Sequence, residues 1–258
     1  MLRVERTGAT AIWTLNRPEA KNALGQQMLE SLVLALDVAE RDTSLRAIVL
    51  MGAGDVFSSG ADLREVRSLT APEDVARFSD IGEEICRRIE GLPVPVIACI
   101  SGVAFGGGAE LALACDMRVA DASARLSFKQ VRMGVTTAWG TLARLVSVVG
   151  HGTASRLLMT SHEITAMEAR VLRLVDHVTE RDGECIALAL AWASDVEQGS
   201  PSAVAAMKSL LRASRSASYE RLRPIEREAF IDTWTSSDHA EAVAAFFERR
   251  APRFRPRH

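Results

Sequence analysis

Hydrophobic positions along the chain follow two rhythms, one of strands and one of helices. Residues 4–6 and 10–15 form short apolar-polar runs around Gly8 and predict a strand hairpin. Between residues 26 and 41, Met28, Leu29, Leu32, Val33, Leu36 and Val38 fall at helical spacing. Residues 46–51 are a continuous apolar run closed by Gly52-Ala53-Gly54, which predicts a strand buried on both faces. A long helix is predicted over 73–90. Pro93 and Pro95 lead into a strand at 96–100, and Gly102 with Gly106, Gly107 and Gly108 reads as a loop. A helix begins over 109–114, and 117–120 is a short strand. Alternating strands and helices with short loops predict an α/β fold with parallel pairing. After about residue 178 the pattern changes. Residues 185–196, 202–213, 219–233 and 239–249 all read as helices, with Pro201 where a first turn tolerates it. These four read as a helical region whose apolar positions pack on the core or on another subunit.

Composition narrows the function classes. Of the 258 residues 48% are hydrophobic, enough for a sizeable core. A formal net charge of −2 gives no global pull toward nucleic acid or an acidic membrane. The four cysteines, Cys86, Cys99, Cys115 and Cys185, lack the spacing of a metal or redox motif. They read as buried free thiols in a reducing compartment. The first residues carry charges rather than an apolar signal core, and no apolar run reaches the ~18 residues of a membrane span. A cytoplasmic protein is expected.

Several chemistries lack their motifs. There is no P-loop, no dinucleotide fingerprint after the first strand, and no nucleophile elbow. The five histidines (His151, His162, His177, His239, His258) are too dispersed for a local metal site, so no metal is expected. Two segments do carry chemistry, and each follows a buried strand. They are Phe57-Ser58-Ser59-Gly60-Ala61-Asp62-Leu63 and Gly102-Val103-Ala104-Phe105-Gly106-Gly107-Gly108-Ala109-Glu110-Leu111. Ligands of parallel α/β folds collect at the carboxyl ends of strands. Consecutive glycines let the backbone approach a ligand, and the helix after them aims free N–H groups into the loop. Glu110, in that first turn, is either a catalytic acid or an acid complementing the helix dipole on a solvated face.

Together these segments resemble the crotonase superfamily, the enoyl-CoA hydratase/isomerase family. The likeness runs from Leu15-Asn16-Arg17-Pro18-Glu19-Ala20-Lys21-Asn22-Ala23-Leu24, through 57–63, 106–116 and 133–150, to 245–254. It implies a crotonase-like spiral of ββα units over 1–195 and a C-terminal helical trimerisation region over 196–258, with trimers often paired into hexamers. It implies an acyl-CoA substrate, with coenzyme A entering as part of that substrate and no prosthetic group. By the resemblance Ala61 and Gly107 supply an oxyanion hole from their N–H groups. Asn22, Ala23, Leu24, Ser59, Gly60, Ala61, Asp62, Leu63, Gly106 and Gly107 line the coenzyme A site. Phe246 and Arg249 match positions that reach a neighbour's coenzyme A. The basic tail (Arg249, Arg250, Arg253, Arg255, Arg257) either touches phosphate or solubilises the end.

One position departs from the pattern. Hydratases of the family use two glutamates; Glu110 matches the first, and Gln130 stands where the second would fall. A carboxamide donates and accepts hydrogen bonds but does not shuttle protons near neutral pH. Decarboxylation of a malonyl-type thioester needs less, because loss of CO2 itself makes the enolate and Glu110 alone can return the proton. With Trp139, read either as a site residue or as a core or interface aromatic, the sequence is also similar to the ethylmalonyl-CoA decarboxylase branch. The expectation is an acyl-CoA lyase leaning to decarboxylation. Enoyl-CoA hydration is the alternative, and a non-catalytic coenzyme A-binding protein of the same fold the next.

Overall fold

The computed structural model describes residues 1–215 and 217–256. It opens with β1 (Leu2–Thr7) and β2 (Thr10–Leu15), then α1 (Gln26–Arg41), β3 (Ala47–Gly52), α2 (Leu63–Val66) and α3 (Pro72–Gly91). Next come β4 (Val96–Ile100), β5 (Val103–Phe105), α4 (Gly107–Ala114), β6 (Met117–Ala120) and β7 (Arg125–Ser127). A long helix α5 (Thr141–Thr160), bent at Gly150, precedes β8 (Ile164–Thr165), α6 (Ala166–Val171) and β9 (His177–Val178). Four helices close the chain: α7 (Cys185–Glu197), α8 (Pro201–Ser214), α9 (Tyr219–Trp234) and α10 (Ser237–Phe247).

The strands form a six-stranded sheet in the order β1-β2-β3-β4-β6-β9 and a smaller one, β5-β7-β8. Apart from the β1–β2 hairpin, every pairing of the larger sheet is parallel. The alternation of β3 and β4 explains their unbroken apolar runs. Ile48, Leu50, Val96, Ala98 and Ile100 face the main core, shared with Leu29, Leu32 and Leu36 of α1 and Ile85 and Ile89 of α3. Ala47, Val49, Ile97 and Cys99 face the other side, where α7 packs Ala189 and Ala193. Both faces are covered, so no polar residue is needed on either. Of the four closing helices, α7 therefore belongs with the sheet. α8 is pinned by the buried Lys208, whose ammonium donates to the carbonyls of Ile89 and Val94 and pairs with Asp116 at 2.6 Å. Along α9 and α10, Ile225, Phe230, Trp234, Val243, Phe246 and Phe247 are exposed.

Three sequence expectations need correction. The helix expected from Ala109 begins at Gly107, because Gly106 (φ 51°) makes the turn alone, and the expected loop before it contains β5. Val38, counted on the apolar face of α1, is exposed. The four free thiols are two: Cys99 and Cys185 form a disulfide, while Cys86 and Cys115 are free and buried. Cys99 points from β4 toward the first residue of α7, with a Cα–Cα distance of 5.7 Å, a proximity that 86 residues of intervening chain conceal. Arg257 and His258 lie outside the described residues. Among those described, no helix is long and apolar enough to cross a membrane.

Candidate active site

β3 and β4 are parallel neighbours, so the segments that follow them open at one edge of the sheet. The first segment is threaded between β5 and the entry segment. Ser58 pairs with β5 through Val103 and Phe105, and Ser59 N–H donates to Lys21 O. Leu24 N–H donates to Gly60 O at 2.8 Å, and Asp62 N–H donates to Leu24 O at 3.3 Å. Gly60 C=O and Asp62 N–H therefore face Leu24, and Ala61 turns its own N–H to the opposite side, where β5 and the start of α4 pack. The two loops touch: a Cβ placed on Gly60 would lie 3.1 Å from Gly107 N. Among the described residues, neither Ala61 N–H nor Gly107 N–H has an acceptor.

Gly107 and Glu110 are three residues apart on α4 and share a face. All eight residues of α4 are buried, and Glu110 is its only ionisable side chain. The solvated-face reading of Glu110 is thereby excluded. Its Oε1 accepts the Thr141 hydroxyl at 2.7 Å and Ala138 N–H at 3.4 Å. Burial pushes its proton affinity above the ordinary carboxylate range, and donors from Thr141, Gln130 and the backbone at Ala138 and Trp139 offset this only in part. Gln130 stands beside the carboxyl and favours its charged form, but the contact falls short of a regular hydrogen bond. Both polar atoms of its carboxamide are buried without a hydrogen-bond partner among the described residues.

Trp139 is buried and closes the far side. A Cβ on Gly107 would meet its Cη2 and Cζ3 at 2.9 and 3.0 Å, and a Cβ on Gly82 of α3 would collide with the other edge of the indole. Phe78 tilts against it at 6.1 Å between centroids. Its carbonyl accepts from Arg144, which is locked to Glu90 by two hydrogen bonds of 2.7 and 2.8 Å.

The entry segment is held by its own side chains. Asn22, fully buried with φ 51°, accepts from Arg17 N–H and donates to the carbonyls of Ala53 and Val56. Its side chain is thus spent on shaping the loop. Ala23 and Leu24 are buried, Ser59 and Gly106 half-buried, and Leu63 is exposed. Asp62 caps α2 through Arg64 N–H and pairs with Arg17 at 2.8 Å. Burial raises its proton affinity, but these two partners outweigh it and hold the carboxyl below its usual range. Phe246 and Arg249 lie exposed at the end of α10, apart from the residues gathered above. Sequence reasoning missed Thr141 and the Arg17–Asp62 pair. Arg17 stood in a quoted motif, whereas no local signal ties Thr141 to a carboxylate 31 residues away.

The sequence profile described as Enoyl-CoA hydratase/isomerase matches residues 5–257. A probable enoyl-CoA hydratase of Bacillus subtilis (strain 168) is 36% identical over 245 residues, covering 95% of each chain. A short-chain-enoyl-CoA hydratase of Clostridium acetobutylicum is 34% identical, covering 96% of this chain and 94% of its own. The crystal structure of an enoyl-CoA hydratase from Polaromonas sp. JS666 superimposes with a TM-score of 0.94 at 32% identity, over 98% of this chain and 99% of that one. With paired loops at the sheet edge, a buried glutamate beneath them and this likeness along nearly its whole length, the chain belongs to the enoyl-CoA hydratase/isomerase family and has the crotonase fold.

Proposed function

We propose that the protein hydrates a 2-enoyl-CoA thioester. The observation that carries this reading is the pair of acceptor-free amides, Ala61 and Gly107, beside the buried Glu110 carboxyl. The thioester oxygen sits between the two amides. Water adds its oxygen to Cβ, its proton passes to the Glu110 carboxylate, and the electron pair of the double bond moves to the thioester oxygen. The amides hold that charge without reorganising, and losing one such donor costs about 3–4 kcal/mol of transition-state stabilisation. Glu110 then returns the proton to Cα and ends as it began. Gln130, with its unpartnered carboxamide, holds the water. Residues 22–24 and 59–63 support the coenzyme A portion, Asn22 by shaping the loop. The exposed apolar face of α9 and α10 suits a trimer in which Phe246 and Arg249 meet a neighbour's coenzyme A.

The relatives named above favour hydration over the decarboxylation toward which the sequence leaned. Gln130 supports decarboxylation as the second reading: the malonyl-type substrate loses CO2, its bonding pair becomes the enolate, and protonated Glu110 supplies the α-proton. Incubation with crotonyl-CoA and, separately, with methylmalonyl- and ethylmalonyl-CoA tests both. Loss of enoyl absorbance is expected in the first, and CO2 release without hydration would reverse the order. Coenzyme A binding with no turnover of any thioester would leave a non-catalytic binder.

A further inference from the structure

We infer that the Trp139 indole is the floor of the acyl pocket and restricts the enzyme to short acyl groups of the butenoyl class. The inference rests on the hydration reading for where the thioester carbonyl lies, and on geometry for the rest. A carbonyl oxygen at Gly107 N–H places the acyl chain along the face of α4 that Gly107 shares with Glu110. The indole packs on α4 at Gly107. One edge is packed so closely on Gly107 that a single methyl group there would stand 2.9 Å from Cη2. The opposite edge is packed against Gly82 on α3, and Leu24 Cδ1 would lie 3.5 Å from the same methyl on Gly107.

The indole is therefore sandwiched between two glycines that admit it and nothing larger. It cannot easily swing aside. Phe78 backs it, only 4% of the residue is exposed, and Arg144 grips its carbonyl from a charge pair with Glu90. A chain of many methylenes leaving Glu110 toward α3 meets a fixed wall. The neighbouring Ala138 N–H donates to the catalytic carboxyl at 3.4 Å, so the wall and the acid are set by one short segment.

The test measures binding and turnover separately. Binding of butanoyl-, hexanoyl-, octanoyl- and decanoyl-CoA is followed by calorimetry, and hydration by loss of enoyl absorbance on the matching 2-enoyl-CoA series. Wild type, Trp139→Ala and Trp139→Leu are compared; the leucine keeps apolar packing if the alanine form does not fold. A buried methylene is worth about fourfold in affinity. Wild type should lose affinity and kcat/KM beyond butanoyl. Either variant should raise the decanoyl-to-butanoyl affinity ratio by roughly tenfold or more, alanine more than leucine. A loss of structure alone would lower all chain lengths together and leave that ratio unchanged. That result, or a wild type that binds decanoyl-CoA as well as butanoyl-CoA, overturns the proposal. If butanoyl-CoA binds but no enoyl-CoA is hydrated, the hydration reading fails and the binding ratio alone decides the role of Trp139.

Discussion

Replacing Thr141 with valine removes one hydroxyl and barely changes side-chain volume. Thr141 is 1% exposed and donates to Glu110 Oε1 at 2.7 Å, and Ala138 N–H, at 3.4 Å, is the only other regular hydrogen bond to that carboxyl among the described residues. A hydrogen bond to a charged group contributes about 1.5–3 kcal/mol, which corresponds to roughly one to two pH units in a titration. The sign follows from the donor. The hydroxyl stabilises the carboxylate, so its loss raises the proton affinity of a group that burial has already raised. The base form, which on the hydration reading takes a proton from water, then appears only at higher pH. The acid limb of kcat/KM for crotonyl-CoA should move up by that interval while the plateau above it changes little. Thr141→Ser keeps the donor and should leave the limb in place. A folded valine variant whose acid limb does not move, or a serine variant that moves it equally, would refute the coupling of Thr141 to Glu110.

Glu110→Gln should cut turnover by about 10²–10⁴-fold, the usual worth of a general acid–base group. The same variant should melt higher than wild type at pH 8. A carboxyl whose folded pKa is raised stabilises the fold below its unfolded value, and that stability is lost as pH rises through the folded value, so the gap should close by about pH 4. Gly108→Ala would set a Cβ 2.6 Å from Ser58 O, a backbone atom that cannot step aside, and the urea midpoint should fall by an amount equal to about 1–3 kcal/mol. Cys185→Ser removes the tie between β4 and α7 and should cost about 2–4 kcal/mol, matched by adding reductant to wild type but not to the variant.

The parts of the fold legible in the sequence are those where one residue's environment follows from its near neighbours. β3 and β4 are buried on both faces and read as apolar runs, and the core side of α1 repeats at helical spacing. β7, β8 and β9 are two or three residues long, too short to show any period. The start of α4 was misplaced because three glycines oppose a helix by propensity. The tight packing of Gly108 against Ser58 overrides that preference. At the site, Gly107 and Glu110 stand together in the sequence because glycine turn and helix start are consecutive, whereas the roles of Ala61 and Gly107 came from the family resemblance. Thr141 above Glu110 and the partnering of Cys99 with Cys185 were not, since only the folded chain brings them together.

The treatment of buried and half-buried acids sets Glu110 apart. Glu90 faces Arg144 and Arg215, Asp116 faces Lys208, and Asp62 faces Arg17. Among the described residues Asp121 has no cation as a hydrogen-bond partner, but it accepts from Ser101, Thr179 and Cys185 N–H at 2.7–3.1 Å. Glu110 has neither arrangement: its partners are neutral, and one hydrogen bond alone is short. A cation beside it would lock the carboxylate on, and full burial with no donors would lock it off. Intermediate support leaves both protonation states within reach, and addition of water across a double bond requires both within one turnover: a base when the water is deprotonated, an acid when Cα receives the proton. At Gln130 a carboxamide adds no charge beside that carboxyl, so its protonation is set by burial and by neutral donors.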